Sequence, residues 1–143
     1  MDQSFDNREG KIWLNGQLID WKKANIHVLN HGLHYASSVF EGERAYNGKV
    51  FKSREHTERL FNAAKTMDML IPYTIDEILH AKDELIKSNS LSDAYIRPIV
   101  WRGSEMMAVS AQTTKINVSI ASWAWPSYFD PDQKMKGIKL DIA

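Results

Sequence analysis

The dipeptide Asn-Gly occurs twice in this chain, each time between short apolar runs, and it constrains the fold more than any other feature. The flanking runs are residues 11–14 and 17–20 around Asn15-Gly16, and residues 39–46 and 49–51 around Asn47-Gly48. A type I′ turn needs positive φ at both of its central residues, which Asn and Gly tolerate best. The sequence therefore predicts two antiparallel β-hairpins near the start of the chain.

Two helices are predicted after the hairpins. Ser53 is expected to cap a helix from residue 54 to about residue 67, and Thr74 with Glu77 forms a capping box that starts a second helix. The second helix is expected to end near residues 88–90. Apolar side chains recur at helical spacing in both segments. These side chains are Leu60, Phe61, Ala64 and Met67 in the first helix, and Ile75, Ile78, Leu79, Leu85 and Ile86 in the second.

Two further strands are predicted at residues 94–101 and 115–125, which are rich in β-branched and aromatic residues. Pro98 lies inside the first of them, and a proline within a strand favours an edge position or a bulge. The order of two hairpins, two helices and two strands predicts an α+β domain. Its two helices would pack on one face of a largely antiparallel sheet.

Composition excludes several classes of function. The formal net charge is zero, with 18 basic and 18 acidic residues, so a nucleic-acid partner or an anionic membrane surface is not expected. The chain has no cysteine, which removes disulfides, thiolate nucleophiles and cysteine-ligated metals. The polar first ten residues contain no apolar signal core, so we expect a cytoplasmic protein.

The connection between the hairpins is long and has no sustained periodicity, which favours a functional loop over residues 21–38. It contains His27, His31 and His34, whose spacing would suit one face of a helix. The segment does not have a convincing helical pattern, and no acidic cluster assists these residues. We therefore expect structural histidines rather than a metal site.

Taken alone, the residues that could carry chemistry have ordinary structural interpretations. Tyr95 and Arg97 share one face of a strand, and a buried arginine there is most simply explained by an internal ion pair, although a carboxylate ligand could also pair with it. Arg59 fits a solvated residue whose stem covers the edge of the core. The aromatic residues fit core or linker packing. These aromatic residues are Tyr35, Phe40, Trp125 and Tyr128.

Three segments together point to a known family. They are residues 31–42 (HGLHYASSVFEG), 54–60 (REHTERL) and 94–98 (AYIRP). In order and spacing the chain resembles the N-terminal half of the branched-chain amino acid aminotransferases. These are fold-type IV enzymes that use pyridoxal 5′-phosphate (PLP). The resemblance implies that the amino group of leucine, isoleucine or valine is transferred to 2-oxoglutarate.

The resemblance also implies a role for each matching residue. Arg59 would contact the PLP phosphate, Tyr95 the α-carboxylate of the substrate, and Arg97 the second carboxylate of glutamate. An apolar substrate cavity would be completed by Phe40, Tyr35, Trp125, Tyr128 and Val109, with Tyr35 and Val109 supplied by a neighbouring subunit. The family pattern thus implies a homodimer or higher homo-oligomer.

The chain is expected to divide into a flexible terminus at residues 1–10, a small α+β domain at residues 11–125 and an interdomain linker at residues 126–137, because residues 126–137 contain two prolines, several polar residues and a glycine. Residues 138–143 would begin a second, cofactor-binding domain. None of the twelve lysines lies in a context that matches the family's catalytic lysine. We therefore expect no catalytic residue in this chain and no transamination by these residues alone.

Two alternatives remain open at this point. The first is another fold-type IV enzyme, such as a D-amino acid aminotransferase or a lyase, against which the FEG and YIRP sequences argue. The second is a non-catalytic binding or dimerisation module, because an apolar surface without a second domain would promote association.

Overall fold

The chain builds one antiparallel sheet with its two long helices on one face. The structure is a computed structural model that describes residues 4–125 and 131–137. Its strands are β1 (Lys11–Leu14), β2 (Gln17–Asp20), β3 (Ser38–Phe40), β4 (Glu43–Tyr46), β5 (Lys49–Val50), β6 (Ala94–Arg102) and β7 (Ile116–Ala124). Its helices are α1 (His31–Tyr35), α2 (Ser53–Thr66), α3 (Ile75–Ser88) and α4 (Pro131–Lys136), with 3-10 turns at Phe5–Asn7 and Trp21–Lys23.

The sheet has the strand order β2-β1-β7-β6-β4-β5, and β3 also pairs with β6. Every pairing in it is antiparallel. Both predicted Asn-Gly turns are present, with positive φ at Asn15, Gly16, Asn47 and Gly48. The predicted α+β class, with two helices on a largely antiparallel sheet, is confirmed.

Helices α2 and α3 cover one face of the sheet and form the core with it. Leu60 and Ala64 of α2 and Leu85 of α3 are fully buried against strand residues such as Ile96 and Val118. The capping box of Thr74 and Glu77 is present at the start of α3. Burial of this continuous apolar layer supplies the main driving force for folding.

Two predictions for the helices are wrong in detail. Ser53 does not cap α2, because Lys52 takes the left-handed conformation before the helix and Ser53 is already its first residue. Met67 lies outside the core because the helix ends at Thr66 and the Met67 side chain is exposed. The core stripe of α3 also includes Lys82, a charged residue that hydrophobic spacing does not predict.

Pro98 is neither on an edge strand nor in a bulge, because β6 is central. It pairs with Ile120 of β7 on one side. On the other side β3 reaches only to Ile99 and β4 begins only at Ile96, so Pro98 faces a break between two strands. Its carbonyl accepts a hydrogen bond from the Glu41 amide in this break. A proline has no N–H to donate, so the interruption is the place where it disturbs the ladder least.

The predicted continuous strand at residues 39–46 is therefore two strands, β3 and β4, separated at Glu41 and Gly42. The region predicted to be non-helical contains the short helix α1, which is capped by the Asn30 side chain. Residues 126–130 and 138–143 lie outside the described part of the chain. The domain limits proposed from the sequence stay predictions.

Candidate functional site

The face of the sheet opposite α2 and α3 carries most of the predicted site. Tyr95 and Arg97 alternate with the buried Ala94 and Ile96 along β6, so their side chains project from the other side of the sheet. We call this side the open face. The Arg97 guanidinium carbon lies 4.3 Å from the centre of the Phe40 ring and 5.3 Å from that of Tyr95. Phe40, Tyr95 and Arg97 thus form one contiguous group.

Arg97 has no protein counter-ion. Within residues 4–125 and 131–137, no carboxylate lies within ion-pair distance of it. The internal ion pair that the residues alone suggested is therefore absent from the described part of the chain. A half-buried guanidinium held between two aromatic rings keeps its hydrogen-bond donors available for an anion.

Tyr95 is fixed by aromatic stacking and by a glycine. Its ring centre lies 4.9 Å from those of both Trp123 and Trp125. Its hydroxyl lies so close to Gly42 that a Cβ at that position would overlap the Tyr95 oxygen and lie 3.2 Å from Cζ. Only glycine leaves room for this arrangement, so Gly42 holds the phenol against the break between β3 and β4.

Arg59 lies at the same break but on the α2 side of the sheet. Its Nε donates to Glu41 Oε1 at 2.6 Å and its Nη2 donates to Oε2 at 2.7 Å. His56 Nδ1 lies 2.8 Å from the same Oε2. Glu41 is only 4% exposed, whereas the Arg59 side chain is 68% exposed. The helix thus presents an arginine fork that is anchored on one edge and open on the other.

Electrostatics keep Glu41 ionised in this arrangement. Burial raises the pKa of a carboxyl group, but the hydrogen bonds and charges of Arg59 and His56 outweigh burial and hold the pKa of Glu41 below its ordinary value of 4.5. A second acid, Glu43, is fully buried 2.6 Å from Lys82 Nζ. There burial dominates, so the pKa of Glu43 is raised and that of Lys82 is lowered.

Two of the predicted site residues, Tyr35 and Val109, are not part of this group. Tyr35 is in α1 and stacks on His31 at 4.5 Å, and Val109 is 89% exposed in the segment between β6 and β7. Tyr128 lies outside the described residues. Phe40, Tyr95, Arg97 and Trp125 are brought together, and Arg59 is linked to them through Glu41, which directly follows Phe40.

The histidines make structural hydrogen bonds. His31 is buried between the Ser37 hydroxyl and the Ala108 carbonyl, and His34 bonds the Val28 carbonyl. His27 accepts a hydrogen bond from the Leu29 amide. No group of three or more potential metal ligands occurs in the described ranges. In the same ranges, no helix is long and apolar enough to cross a membrane.

An apolar pocket of about 320 Å³ lies elsewhere on the open face. It is lined by Leu14, Ala24, Ile26, Asn30, Gly32, Leu33, Ser38, Ile99, Trp101 and Ser119. Neither Tyr95 nor Arg97 belongs to this lining. We therefore place the candidate site at Arg97 and Arg59, whose guanidinium groups can bind an anionic ligand, rather than in this pocket.

Sequence reasoning missed Glu41, Gly42 and His56 as supporting residues. Glu41 and Gly42 belong to the recognised FEG sequence, and His56 lies one helical turn before Arg59. The pairing of Glu41 with Arg59 spans 18 residues and joins a strand break to a helix. Periodicity within one element carries no signal for such a contact.

Comparison with known proteins identifies the family. The amino-transferase class IV family matches residues 38–141. The chain belongs to this family. It is 47% identical over 133 residues to the probable branched-chain-amino-acid aminotransferase of Rickettsia felis. The aligned region covers 92% of this chain and 44% of the relative.

Solved structures of class IV aminotransferases share the fold. The branched-chain amino acid aminotransferase of Escherichia coli superposes with a TM-score of 0.79 and 39% identity, over 82% of this chain and 42% of that one. The T.th. branched-chain amino acid aminotransferase complexed with N-(5′-phosphopyridoxyl)-L-glutamate superposes with a TM-score of 0.79 and 36% identity. The superposition covers 82% of this chain and 42% of that one. The chain therefore spans less than half the length of these relatives. The resemblance inferred from the three sequence segments is confirmed.

Proposed function

We propose that this chain supplies the substrate-binding half of a PLP-dependent aminotransferase that moves the amino group of leucine, isoleucine or valine to 2-oxoglutarate. The observation that carries the proposal is Arg97, a half-buried guanidinium without a protein counter-ion that lies between the Phe40 and Tyr95 rings. A substrate carboxylate supplies the missing partner, in a geometry that arginine binds through two parallel hydrogen bonds.

The residues present fit the phosphate of PLP. Arg59 uses Nε and Nη2 to bind Glu41, and its Nη1 edge has no hydrogen-bond partner in the described part of the chain. An exposed guanidinium edge suits phosphate oxygens. Bound PLP supplies an electron-accepting ring that eases loss of the amino acid's Cα proton. Arg59 would hold and orient the phosphate.

Tyr95 and Arg97 would bind and orient the carboxylates, with Tyr95 on the α-carboxylate and Arg97 on the second carboxylate of glutamate. Phe40 and Trp125 would provide apolar walls for the branched side chain and exclude water from it. Tyr128 would close the same cavity. In a protein as long as these relatives, the lysine that carries the chemical step would lie outside the segment that this chain covers.

Assembly would complete the cavity. Tyr35 and Val109 are exposed and do not contact the Arg97 group, which is the position expected of residues that serve a neighbouring subunit. We therefore propose a homodimer or higher homo-oligomer. A cytoplasmic location is proposed from the cysteine-free composition.

A hybrid enzyme tests the proposal. In it, this chain replaces the aligned segment of the E. coli branched-chain amino acid aminotransferase, and the unaltered E. coli enzyme is the control. We expect the hybrid enzyme to transfer the amino group of leucine to 2-oxoglutarate and to reject D-alanine. A folded, PLP-containing hybrid that turns over D-alanine, or no amino acid, would contradict the proposed function.

A further inference from the structure

Glu41 holds the Arg59 guanidinium in one orientation. Its two carboxylate oxygens accept from Nε and Nη2 at 2.6 and 2.7 Å, which is a two-point contact along one edge of the planar fork. The carboxylate is itself fixed, because it is 4% exposed, it is bound by His56, and its backbone amide donates to the Pro98 carbonyl. Glu41 is thus a rigid support for a side chain that is otherwise exposed.

A second arginine in the same helix shows what an ordinary surface pair looks like. Arg54 contacts Asp76 through Nη2 alone, and the two side chains are 54% and 81% exposed. Such exposed one-point pairs are weak and leave the arginine mobile. The difference between the two arginines lies in the acid that each one meets.

Glu41 also joins the two parts of the candidate site. The residue before it, Phe40, packs against Arg97, and the residue after it, Gly42, lies under the Tyr95 hydroxyl. The same residue binds Arg59 through its side chain and β6 through its backbone. The orientation of the Arg59 fork is therefore tied to the strand that carries Tyr95 and Arg97.

We propose that Glu41 is a positioning residue that orients the Nη1 edge of Arg59 toward a bound phosphate. The inference rests on the proposed function, because the phosphate is the one that PLP would bring. An ionised acid beside a phosphate-binding arginine weakens anion binding through its charge. A gain from preorganisation explains why the arrangement nevertheless suits a phosphate site.

The rate at which the Arg59 guanidinium rotates tests its two-point contact with Glu41 without any substitution. A two-point contact hinders rotation about the Cζ–Nε bond, which exchanges the two Nη positions. We expect nitrogen NMR of the 143-residue chain to show Arg59 rotating about tenfold more slowly than Arg54, as one additional charge-assisted hydrogen bond implies. Equal rotation rates for the two arginines would overturn the proposal.

A phosphate titration tests whether the contact between Glu41 and Arg59 strengthens phosphate binding. Inorganic phosphate is added while the backbone amides of Arg59 and His56 are followed, in the wild-type chain, in Glu41→Gln and in Glu58→Gln. Glu58 is exposed and adjacent to Arg59 in α2, so Glu58→Gln removes the same charge without touching the fork. A positioning role predicts that Glu41→Gln weakens phosphate binding about threefold to tenfold, while Glu58→Gln leaves it equal or slightly stronger.

Stronger phosphate binding in both variants would overturn the proposal, because it would show that Glu41 acts only through its charge. If phosphate binding does not depend on Arg59, as tested with Arg59→Gln, the cofactor role in the proposed function fails instead. The rotation rate in the wild-type chain then still decides whether Glu41 holds the fork. It also decides the matter if Glu41→Gln does not fold.

Discussion

The two faces of the sheet have different roles, and alternate residues of the same strands supply them. Along β6, Ala94, Ile96 and Val100 are fully buried under the helices, whereas Tyr95 and Arg97 project from the open face. The covered face forms a continuous apolar core with α2 and α3. Period-2 alternation in one strand therefore separates the residues that stabilise the fold from those that we assign to binding.

The faces also differ in how they treat polar groups. On the covered side even a buried charge is paired, since Lys82 contacts both Glu43 and Thr57. Buried side-chain atoms without a hydrogen-bond partner among the described residues occur on both sides. They are Glu43 Oε1 and Oε2 on the covered side, and Arg44 Nε, Trp101 Nε1 and Trp123 Nε1 on the open face. The faces therefore differ in charge pairing rather than in hydrogen-bond satisfaction. The buried Lys82 has Glu43 as its counter-ion, whereas Arg97 has none among the described residues.

The largest expected effect breaks the covered face. Lys82→Met removes one partner of a fully buried ion pair and leaves the Glu43 carboxyl group buried without that partner, which we expect to lower the free energy of unfolding by about 3–5 kcal/mol. Chemical denaturation measures the change. Lys87→Met, on an exposed position of the same helix, is the control and should change stability little. Equal effects of the two substitutions would contradict the buried pair.

A smaller effect is expected at the close approach of Gly42 to the Tyr95 hydroxyl. Gly42→Ala places a methyl group on the Tyr95 hydroxyl and should lower the free energy of unfolding by about 1–3 kcal/mol. The near-ultraviolet circular dichroism of the Tyr95, Trp123 and Trp125 cluster should change as well. In a Tyr95→Phe background the same glycine substitution should be milder, because the overlapping oxygen is gone. An unchanged penalty in that background would contradict the close approach.

Glu41, which lies between the two faces, is expected to make the free energy of unfolding depend on pH. The pKa of Glu41 is lower in the folded chain than its ordinary value of 4.5, so the unfolded chain binds the proton more tightly. The stabilisation by Glu41 is fully present above that value and is lost as the pH falls through the folded pKa. Urea unfolding at decreasing pH should show a shallower loss for Glu41→Gln than for wild type. Parallel curves would show that Glu41 does not contribute.

The smallest expected effect on stability belongs to Arg97 itself. Arg97→Met removes a cation–π contact with Phe40 and keeps an apolar stem, so we expect a change of about 0.5–1 kcal/mol or less. Denaturation of the variant measures this. A loss as large as that of Lys82→Met would mean that Arg97 supports the fold, and the division between the two faces would be wrong.

Local signals in the sequence predicted much of the fold. Both Asn-Gly turns, the Thr74 capping box and the β-branched and aromatic composition of β6 and β7 are signals from residues close together in the chain. The capping prediction at Ser53 was wrong because Lys52 adopts a left-handed conformation that its residue type does not favour. The prediction for Pro98 was wrong because the break opposite it depends on two other strands.

The candidate site was predictable only in part. Family resemblance singled out Tyr95, Arg97 and Phe40, which the fold brings together. Glu41 and Lys82 were missed because their partners lie on different elements. Neither hydrophobic spacing nor charge pattern shows that an acid in the sheet region meets a base in a helix. Such tertiary contacts override local patterns, and they occur here at the edge of the candidate site.

The most direct test of the open face as the substrate surface is a comparison of KM values in the hybrid enzyme with Arg97→Gln. Our interpretation predicts that the KM for 2-oxoglutarate rises about tenfold or more, whereas the KM for leucine changes little, because only the dicarboxylate brings a second negative charge to Arg97. Equal changes for both substrates, or no change for either, would contradict the assignment of Arg97 and of the open face to substrate binding.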